Sequence, residues 1–212
     1  MSRRARLAAL ALTLSAALPA AAHPVQYQAT LSGAIESPNP VPTAGTGTAT
    51  VTIDPDDFSM RVQVSFSDLT GNVTFSHIHC CTSLSGLDAL PPGTTINSLS
   101  AGVASVTPSF TGFPAGGTSG TYDHLFDLSQ ASNFNPAFVT ANGGTAGTAF
   151  SALLTGLNAG KAYLNIHTSF RSSGEIRGFL APVAAVPEPE TYALMLGGLL
   201  FVGAAARRVR KA

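Results

Sequence analysis

Three observations predict an all-β fold for the central part of the chain. Residues 58–66 alternate apolar and polar side chains, with Met60, Val62, Val64 and Phe66 at every second position, as on a half-buried strand. Turn signals recur roughly every 8 to 12 residues, which is the spacing of a β-sandwich or barrel. The periodicity of a helix is absent over any long window. We therefore expect an antiparallel β-sandwich.

The elements follow in order along the chain, and turns rich in Pro, Asn and Asp separate the first strands. The predicted strands are 25–35, 47–53, 58–66, 70–79, 148–157, 161–168 and 175–180. Residues 82–121 are rich in Ser, Gly, Pro and Thr, which predicts long loops with one or two weak strands. Residues 127–139 suit short helical turns, because Asp and Ser can cap them and Pro136 can open one.

The N-terminus has the pattern of a secretory signal. Three arginines precede an apolar run at 7–18 that is too short to span a bilayer comfortably, and Pro19 leads into three alanines. This order favours cleavage by signal peptidase between Ala22 and His23 over a membrane-anchoring helix. We expect the mature protein to be exported.

Charge excludes one class of partner. Between residues 23 and 186, four basic residues stand against nine acidic ones, so this part carries a net charge of −5 although the whole chain is neutral. Nucleic acid is excluded as a partner, because neutralising phosphates needs clustered Lys and Arg. The remaining residues, about 160, suit one domain with one core. The predicted division is 1–22, 23–181 and 182–212.

The C-terminal segment is a second targeting device. Pro187, Glu188 and Pro189 precede fifteen apolar residues at 192–206 and a basic tail. The apolar stretch falls short of the roughly 20 residues of a relaxed span, but the basic tail places that end in the cytoplasm. A plain single-pass anchor is the alternative. The order and spacing resemble the PEP-CTERM sorting signal, in which this stretch is a transmembrane helix.

That resemblance has consequences for processing and location. It implies an inner-membrane-anchored precursor, recognition by an exosortase and cleavage near the Pro-Glu-Pro motif. The product is then expected in the cell envelope or the extracellular matrix of a Gram-negative bacterium that makes exopolysaccharide.

Residues 75–81 concentrate the chemistry of the chain. They hold two of its five histidines and both of its cysteines, and residues 163–167 echo their pattern. If both stretches are strands, His77 and His79 share one face, and His167 lies on the corresponding face of the second strand.

Three imidazoles on adjoining strands can hold copper or zinc, and Cu/Zn superoxide dismutases build part of their site from a His-x-His strand. The alternative is a structural role, in which the imidazoles hydrogen-bond to backbone carbonyls, Asn165 or Glu175 and fix the packing of the sheet.

The two cysteines are adjacent in an oxidising compartment. Neighbouring Cα atoms lie about 3.8 Å apart, below the roughly 4.4 to 6.8 Å usual for a disulfide. A strained vicinal disulfide between Cys80 and Cys81, or free thiols, is favoured over thiolate ligands beside the histidines. Bridges to another chain remain open, and without a third cysteine no ordinary internal bridge exists.

No catalytic constellation is recognisable. The sequence lacks a Gly-x-Ser-x-Gly elbow, a phosphate-binding glycine loop and carboxylates paired for glycoside hydrolysis. Glu175 and Arg177 alternate around Ile176, so they share a face, and an ion pair is expected there.

Three motifs together resemble the CHRD domain, the module named from chordin. They are Leu-x-Gly-x-x-Glu at 31–36, His-Ile-His at 77–79, and Tyr-x-Asn-x-His-Thr at 163–168 followed by Gly-Glu-Ile-Arg-Gly at 174–178. The resemblance covers about residues 26–181, and Cys80-Cys81 departs from the small residues common after the histidine pair. It implies an immunoglobulin-like β-sandwich of Greek-key type and no established enzymatic reaction.

Two functional hypotheses follow. The first is a non-catalytic binding or structural module that contacts exopolysaccharide or envelope proteins in a biofilm matrix. The second is a copper- or zinc-binding β-sandwich, with redox activity open to it, centred on the His-x-His strand.

Overall fold

The computed structural model describes residues 24–184, 195–200, 202–203 and 207. Eight strands dominate it, which confirms the all-β prediction. They are β1 (Val25–Ser32), β2 (Thr46–Asp54), β3 (Ser59–Ser67), β4 (Val73–His79), β5 (Gly120–Asp127), β6 (Tyr163–Thr168), β7 (Ile176–Phe179) and β8 (Ala181–Pro182). The helices are α1 (Pro136–Ala141) and α2 (Ala146–Asn158).

The strands form one sheet in the order β4-β6-β7-β1-β2-β3-β5, and β8 also pairs with β1. Every pairing is antiparallel. The sheet curls into a half-barrel, which is consistent with an all-β sandwich fold. The immunoglobulin-like Greek-key arrangement implied by the resemblance is not confirmed.

The two halves of this sheet differ in burial. β1, β2 and β3 bury alternate side chains, such as Leu31, Val51 and Val62, and turn hydroxyl and amide side chains outward. β6 and β7 are buried at every position. Apolar residues of β6 such as Leu164 belong to the main core, while Tyr163 packs with Leu99 and Phe179 in a second cluster on the other face. The β6–β7 half is therefore covered on both sides.

The free edge of β4 is covered by the long segment that follows it. Backbone N–H groups of Cys80, Ala104 and Phe110 donate to the carbonyls of Gly102, Ile78 and Ser76 at 3.0, 2.9 and 3.0 Å. This segment satisfies backbone groups that an open strand edge would leave unpaired. It also brings its own carbonyl groups close to the histidine face of the strand.

Residues 148–157, predicted to be a strand, lie in helix α2, so that prediction was wrong. The buried residues of α2 fall on one helical face, and Thr145 begins the helix through a reciprocal capping box with Thr148. Its buried residues are Ala149, Phe150, Leu153, Gly156 and Leu157.

Two other segments complete the comparison with the predicted elements. Strand β5 falls in 120–127, where no strand was predicted, although Tyr122 and Phe126 alternate there as on a buried face. The helical turns predicted for 127–139 are confirmed as a 3-10 turn at Ala131–Asn133 and as α1, whose first turn is capped by the Asn135 side chain.

The terminal targeting predictions lie mostly outside the described residues. This applies to Ala22 and His23 at the expected signal cleavage and to Pro187, Glu188 and Pro189 of the sorting motif. Residues 195–200 are helical and exposed. Within the described part of the chain no helix has both the length and the apolar character needed to cross a membrane, so the transmembrane helix at 192–206 stays a prediction.

Candidate metal centre

The three predicted histidines lie together on paired strands. β4 and β6 run antiparallel, with His77 opposite Asn165, His79 opposite Tyr163 and His167 opposite Phe75. Residues two apart on one strand point the same way, and neighbouring strands are about 4.7–4.9 Å apart, so three side chains in this register converge. One ligand nitrogen of each histidine lies within 4.8 Å of those of the other two.

One nitrogen of each ring is held by a backbone carbonyl. His79 Nδ1 donates to Ala101 O and His167 Nδ1 donates to Ser172 O, both at 2.9 Å, and His77 Nε2 donates to Pro108 O. A carbonyl can only accept, so each of these nitrogens must carry a proton. In a neutral ring the other nitrogen then has a free lone pair.

The free lone pairs belong to His77 Nδ1, His79 Nε2 and His167 Nε2. All three atoms are buried and have no hydrogen-bond partner. A buried polar atom without a partner costs about 1–3 kcal/mol, and here three such atoms occur together. The carbonyl contacts fix the tautomer and orientation of each ring, as outer-shell partners do around metal-bound histidines.

Burial keeps the three rings neutral. It lowers the pKa of His79 to about 4, with smaller contributions from the positive charges that His167, His77 and Arg177 can carry. Burial also lowers the pKa values of His77 and His167. Neutral imidazole is the form that binds a metal, so at neutral pH these rings need not first lose a proton.

The geometry suits a small metal ion. Metal–nitrogen bonds of about 2.0–2.1 Å place ligand nitrogens roughly 3.3–3.6 Å from one another, so the rings need to close by about an ångström. Imidazole is a ligand for copper and zinc alike. The three histidines are 7–9 % exposed, so the site lies just beneath the surface.

A stack of side chains supports the site from behind. The rings of His79 and Tyr163 are parallel within 3° with centroids 4.8 Å apart, and the Arg177 guanidinium lies 4.9 Å from the Tyr163 ring centre. Arg177 is 1 % exposed and donates to the carbonyls of Ile35, Leu99 and Ile96. Stacking of this kind fixes ring orientation as well as contributing energy.

The ion pair expected between Glu175 and Arg177 does not form. Glu175 instead accepts from the hydroxyls of Thr43 and Thr168 at 2.5 and 2.6 Å, and from the backbone N–H groups of Thr70 and Gly71 at 2.6 and 3.1 Å. These four donors satisfy the buried carboxylate without a cation. Glu175 is thus structural, tying the start of β7 to the loop before β4.

Cys80 and Cys81 form a disulfide, which leaves no thiolate beside the histidines. The sulfurs pack against Gly156 of α2, where a Cβ would lie 2.3 Å from Cys80 Sγ and 2.4 Å from Cys81 Sγ. The disulfide therefore lies against the helix, and a residue without a side chain is required at that point.

The sequence indicated the three histidines but not the groups that orient their rings. The acceptors are backbone carbonyls of Ala101, Pro108 and Ser172, so no side chain marks them. The echo in the sequence predicted that His167 lies on the face of β6 that corresponds to the histidine face of β4, and in the antiparallel pairing His167 lies opposite Phe75 and Tyr163 opposite His79.

Comparison with protein families gives two matches, a CHRD domain over residues 27–180 and a PEP-CTERM protein-sorting motif over residues 185–211. No match was found among curated proteins or among solved structures. The sorting motif indicates an exosortase-sorted protein that is exported to the cell envelope or extracellular surface of a Gram-negative bacterium. The domain match spans the sheet from β1 to β7 with both histidine strands, and the chain belongs to the CHRD domain family.

Proposed function

We propose that the CHRD domain of this exported protein binds one copper or zinc ion through His77, His79 and His167. The observation that carries the proposal is a cluster of three histidines with ring nitrogens within 4.8 Å of one another, in which each ring has one buried nitrogen without a hydrogen-bond partner. Their second nitrogens are all engaged by carbonyls, so the free lone pairs are directed by the fold and not by chance rotation.

A purely structural role explains only half of this arrangement. The carbonyl contacts alone would tie the loops at 101–108 and 172 to the sheet. They do not explain why the opposite nitrogen of every ring is left unpaired in a buried position, which opposes folding by about 1–3 kcal/mol for each atom. A bound ion would satisfy all three atoms at once. The metal-binding hypothesis therefore explains the contacts of both nitrogens in each ring.

A role in the matrix is a second candidate, and the outer face of the sheet favours it. Thr30 pairs with Thr48, Thr48 with Ser65, and Ser65 with Thr121, which makes a row of hydroxyls across four strands. Such a row offers donors and acceptors to the hydroxyls of an exopolysaccharide. This non-catalytic role and metal binding are compatible, because they use opposite halves of the sheet.

Metal analysis tests the first proposal. The protein is purified from cells grown with ample copper and zinc, dialysed without chelator and analysed for both metals. We expect about one ion per chain, lost in His167→Ala and retained in His124→Ala, which removes a histidine outside the cluster. A folded wild-type protein that holds neither metal would refute the proposal.

A further inference from the structure

Building on the proposed metal site, we propose that it favours copper(I) over copper(II) and zinc(II). Three features of the site support this preference: the charge of the donor set, the charged residues behind it and the number of protein ligands.

The donor set carries no negative charge. All three ligands are neutral imidazoles, and their outer nitrogens donate to backbone carbonyls rather than to carboxylates. The cost of transferring an ion from water to a buried site rises with the square of its charge. Without an anionic ligand to offset that cost, a monovalent ion is favoured over a divalent one.

The nearest charged group in the supporting stack is a cation. Arg177 lies behind Tyr163, which in turn stacks on His79, with successive separations of 4.9 and 4.8 Å. Its repulsion of a bound ion is twice as large for a divalent ion as for a monovalent one.

No contact ion pair neutralises this guanidinium. Within residues 24–184 a salt bridge joins Arg61 to Asp123 on the outer face, and none involves Arg177. The two buried carboxyl groups nearby are Glu36 and Glu175. Glu175 is occupied by four hydrogen-bond donors, and burial raises the pKa of Glu36 to about 7, which reduces its negative charge near neutral pH.

Three protein ligands match the coordination number of copper(I). Copper(I) is stable with three donors, whereas zinc(II) takes four, filling the last position with a water or substrate when the protein supplies three. The histidines are 7–9 % exposed, so the space for a water ligand is narrow. Divalent ions must therefore either remain undercoordinated or open the site.

Phe75 offers a way to change the charge without disturbing the core. It lies two residues before His77 on the same strand, is 43 % exposed, and its ring centre is 6.3 Å from that of His77. Phe75→Glu adds one negative charge beside the site, and Phe75→Gln is the matched neutral control.

The experiment measures the affinities of the purified protein and both variants for copper(I), copper(II) and zinc(II) by competition with chelators. Copper(I) is measured under anaerobic conditions. The reduction potential of the bound copper is measured with mediators that donate or accept one electron. For the wild type we expect tighter binding of copper(I) than of either divalent ion, and a potential above that of free copper. Phe75→Glu should shift the copper(I)-to-zinc(II) affinity ratio about tenfold towards zinc, and Phe75→Gln should leave it within about twofold.

Wild-type protein that binds copper(II) or zinc(II) at least as tightly as copper(I) would overturn this inference while leaving metal binding intact. Equal affinity ratios for Phe75→Glu and Phe75→Gln would overturn the electrostatic reasoning in the same way. Absence of binding for all three ions in a folded protein would overturn the proposed function, and this inference with it.

Discussion

The His79→Ala substitution tests whether His79 is a metal ligand or has only a structural role. The change removes one of the three converging nitrogens, the hydrogen bond to Ala101 O and the stack on Tyr163. If the domain binds a metal, wild-type protein should melt at a higher temperature with excess copper or zinc than with chelator, because the ion binds only the folded state. In His79→Ala this difference should disappear.

The size of the effect can be estimated. Metal at 100 times its Kd stabilises the folded state by about 2.7 kcal/mol, and in a domain of this size 1 kcal/mol corresponds to roughly 2–4 °C in Tm. The wild-type difference should therefore be about 5–10 °C. In chelator, His79→Ala should still melt below wild type, since losing a buried hydrogen-bond partner costs about 1–3 kcal/mol.

Differential scanning calorimetry of both proteins, each with metal and with chelator, measures all four values. His124→Ala is the control, since His124 lies on β5 between Tyr122 and Phe126, outside the histidine cluster. It should keep the full metal-dependent difference. A wild-type Tm that is indifferent to metal and chelator, beside a His79→Ala variant uniformly lower, would leave the structural role as the surviving account.

Three further predictions concern the helix, a buried acid and the sorting motif. Gly156→Ala should destabilise the domain by about 1–3 kcal/mol in urea unfolding, because its Cβ would meet the disulfide sulfurs. The control is Gly147→Ala on the same helix, which has open space around it and should stabilise the domain by up to about 1 kcal/mol. Equal effects of the two substitutions would contradict the packing of the disulfide on Gly156. Burial raises the pKa of Glu36 from 4.5 to about 7, so the folded state favours the protonated form. The contribution of Glu36 to stability should therefore be largest below about pH 4.5 and fall by about 3 kcal/mol between pH 4.5 and 7, whereas the buried histidines, whose pKa values are lowered, contribute with the opposite sign. Urea unfolding across this range should show wild type losing about 3 kcal/mol relative to Glu36→Gln as the pH rises, and a difference between the two proteins that stays constant with pH would show that Glu36 does not cause the loss. Glu188→Ala should leave the protein uncleaved in the inner membrane, as cell fractionation would show, whereas processed variant at the cell surface would rule out the role given to the motif.

The strands that the sequence predicted well are those with one exposed face. In β3, Met60, Val62, Val64 and Phe66 are all buried while their neighbours are at least partly exposed, so the alternation in the sequence is the alternation in the structure. The histidine face could be predicted for the same reason, since strand periodicity alone places His77 and His79 on one side.

The failures have physical causes. Residues 148–157 carry Phe150, Leu153, Leu154 and Leu157 at i, i+3, i+4 and i+7, a helical spacing that the strand prediction did not take into account. The apolar face of this helix packs on the core and the capping box at Thr145 satisfies its first turn, so local and tertiary preferences both favour α2. The ion pair expected between Glu175 and Arg177 does not form, because side chains on the same face of a strand need not touch each other. Each found other partners, the first among hydroxyl and N–H donors and the second among carbonyls.

The long segment after β4 explains how the proposed metal site is assembled with so few specialised side chains. Its Gly, Ser, Ala and Pro residues bring the backbone close to the sheet, and the carbonyls of Ala101 and Pro108 then hold the rings of His79 and His77 in single tautomers. Ser172, in the turn after β6, does the same for His167. A backbone carbonyl cannot donate a proton or change its charge, so each ring has one possible neutral tautomer at these contacts. The histidine side chains therefore supply the proposed ligand atoms, while the path of the backbone fixes the tautomer and the orientation of each ring.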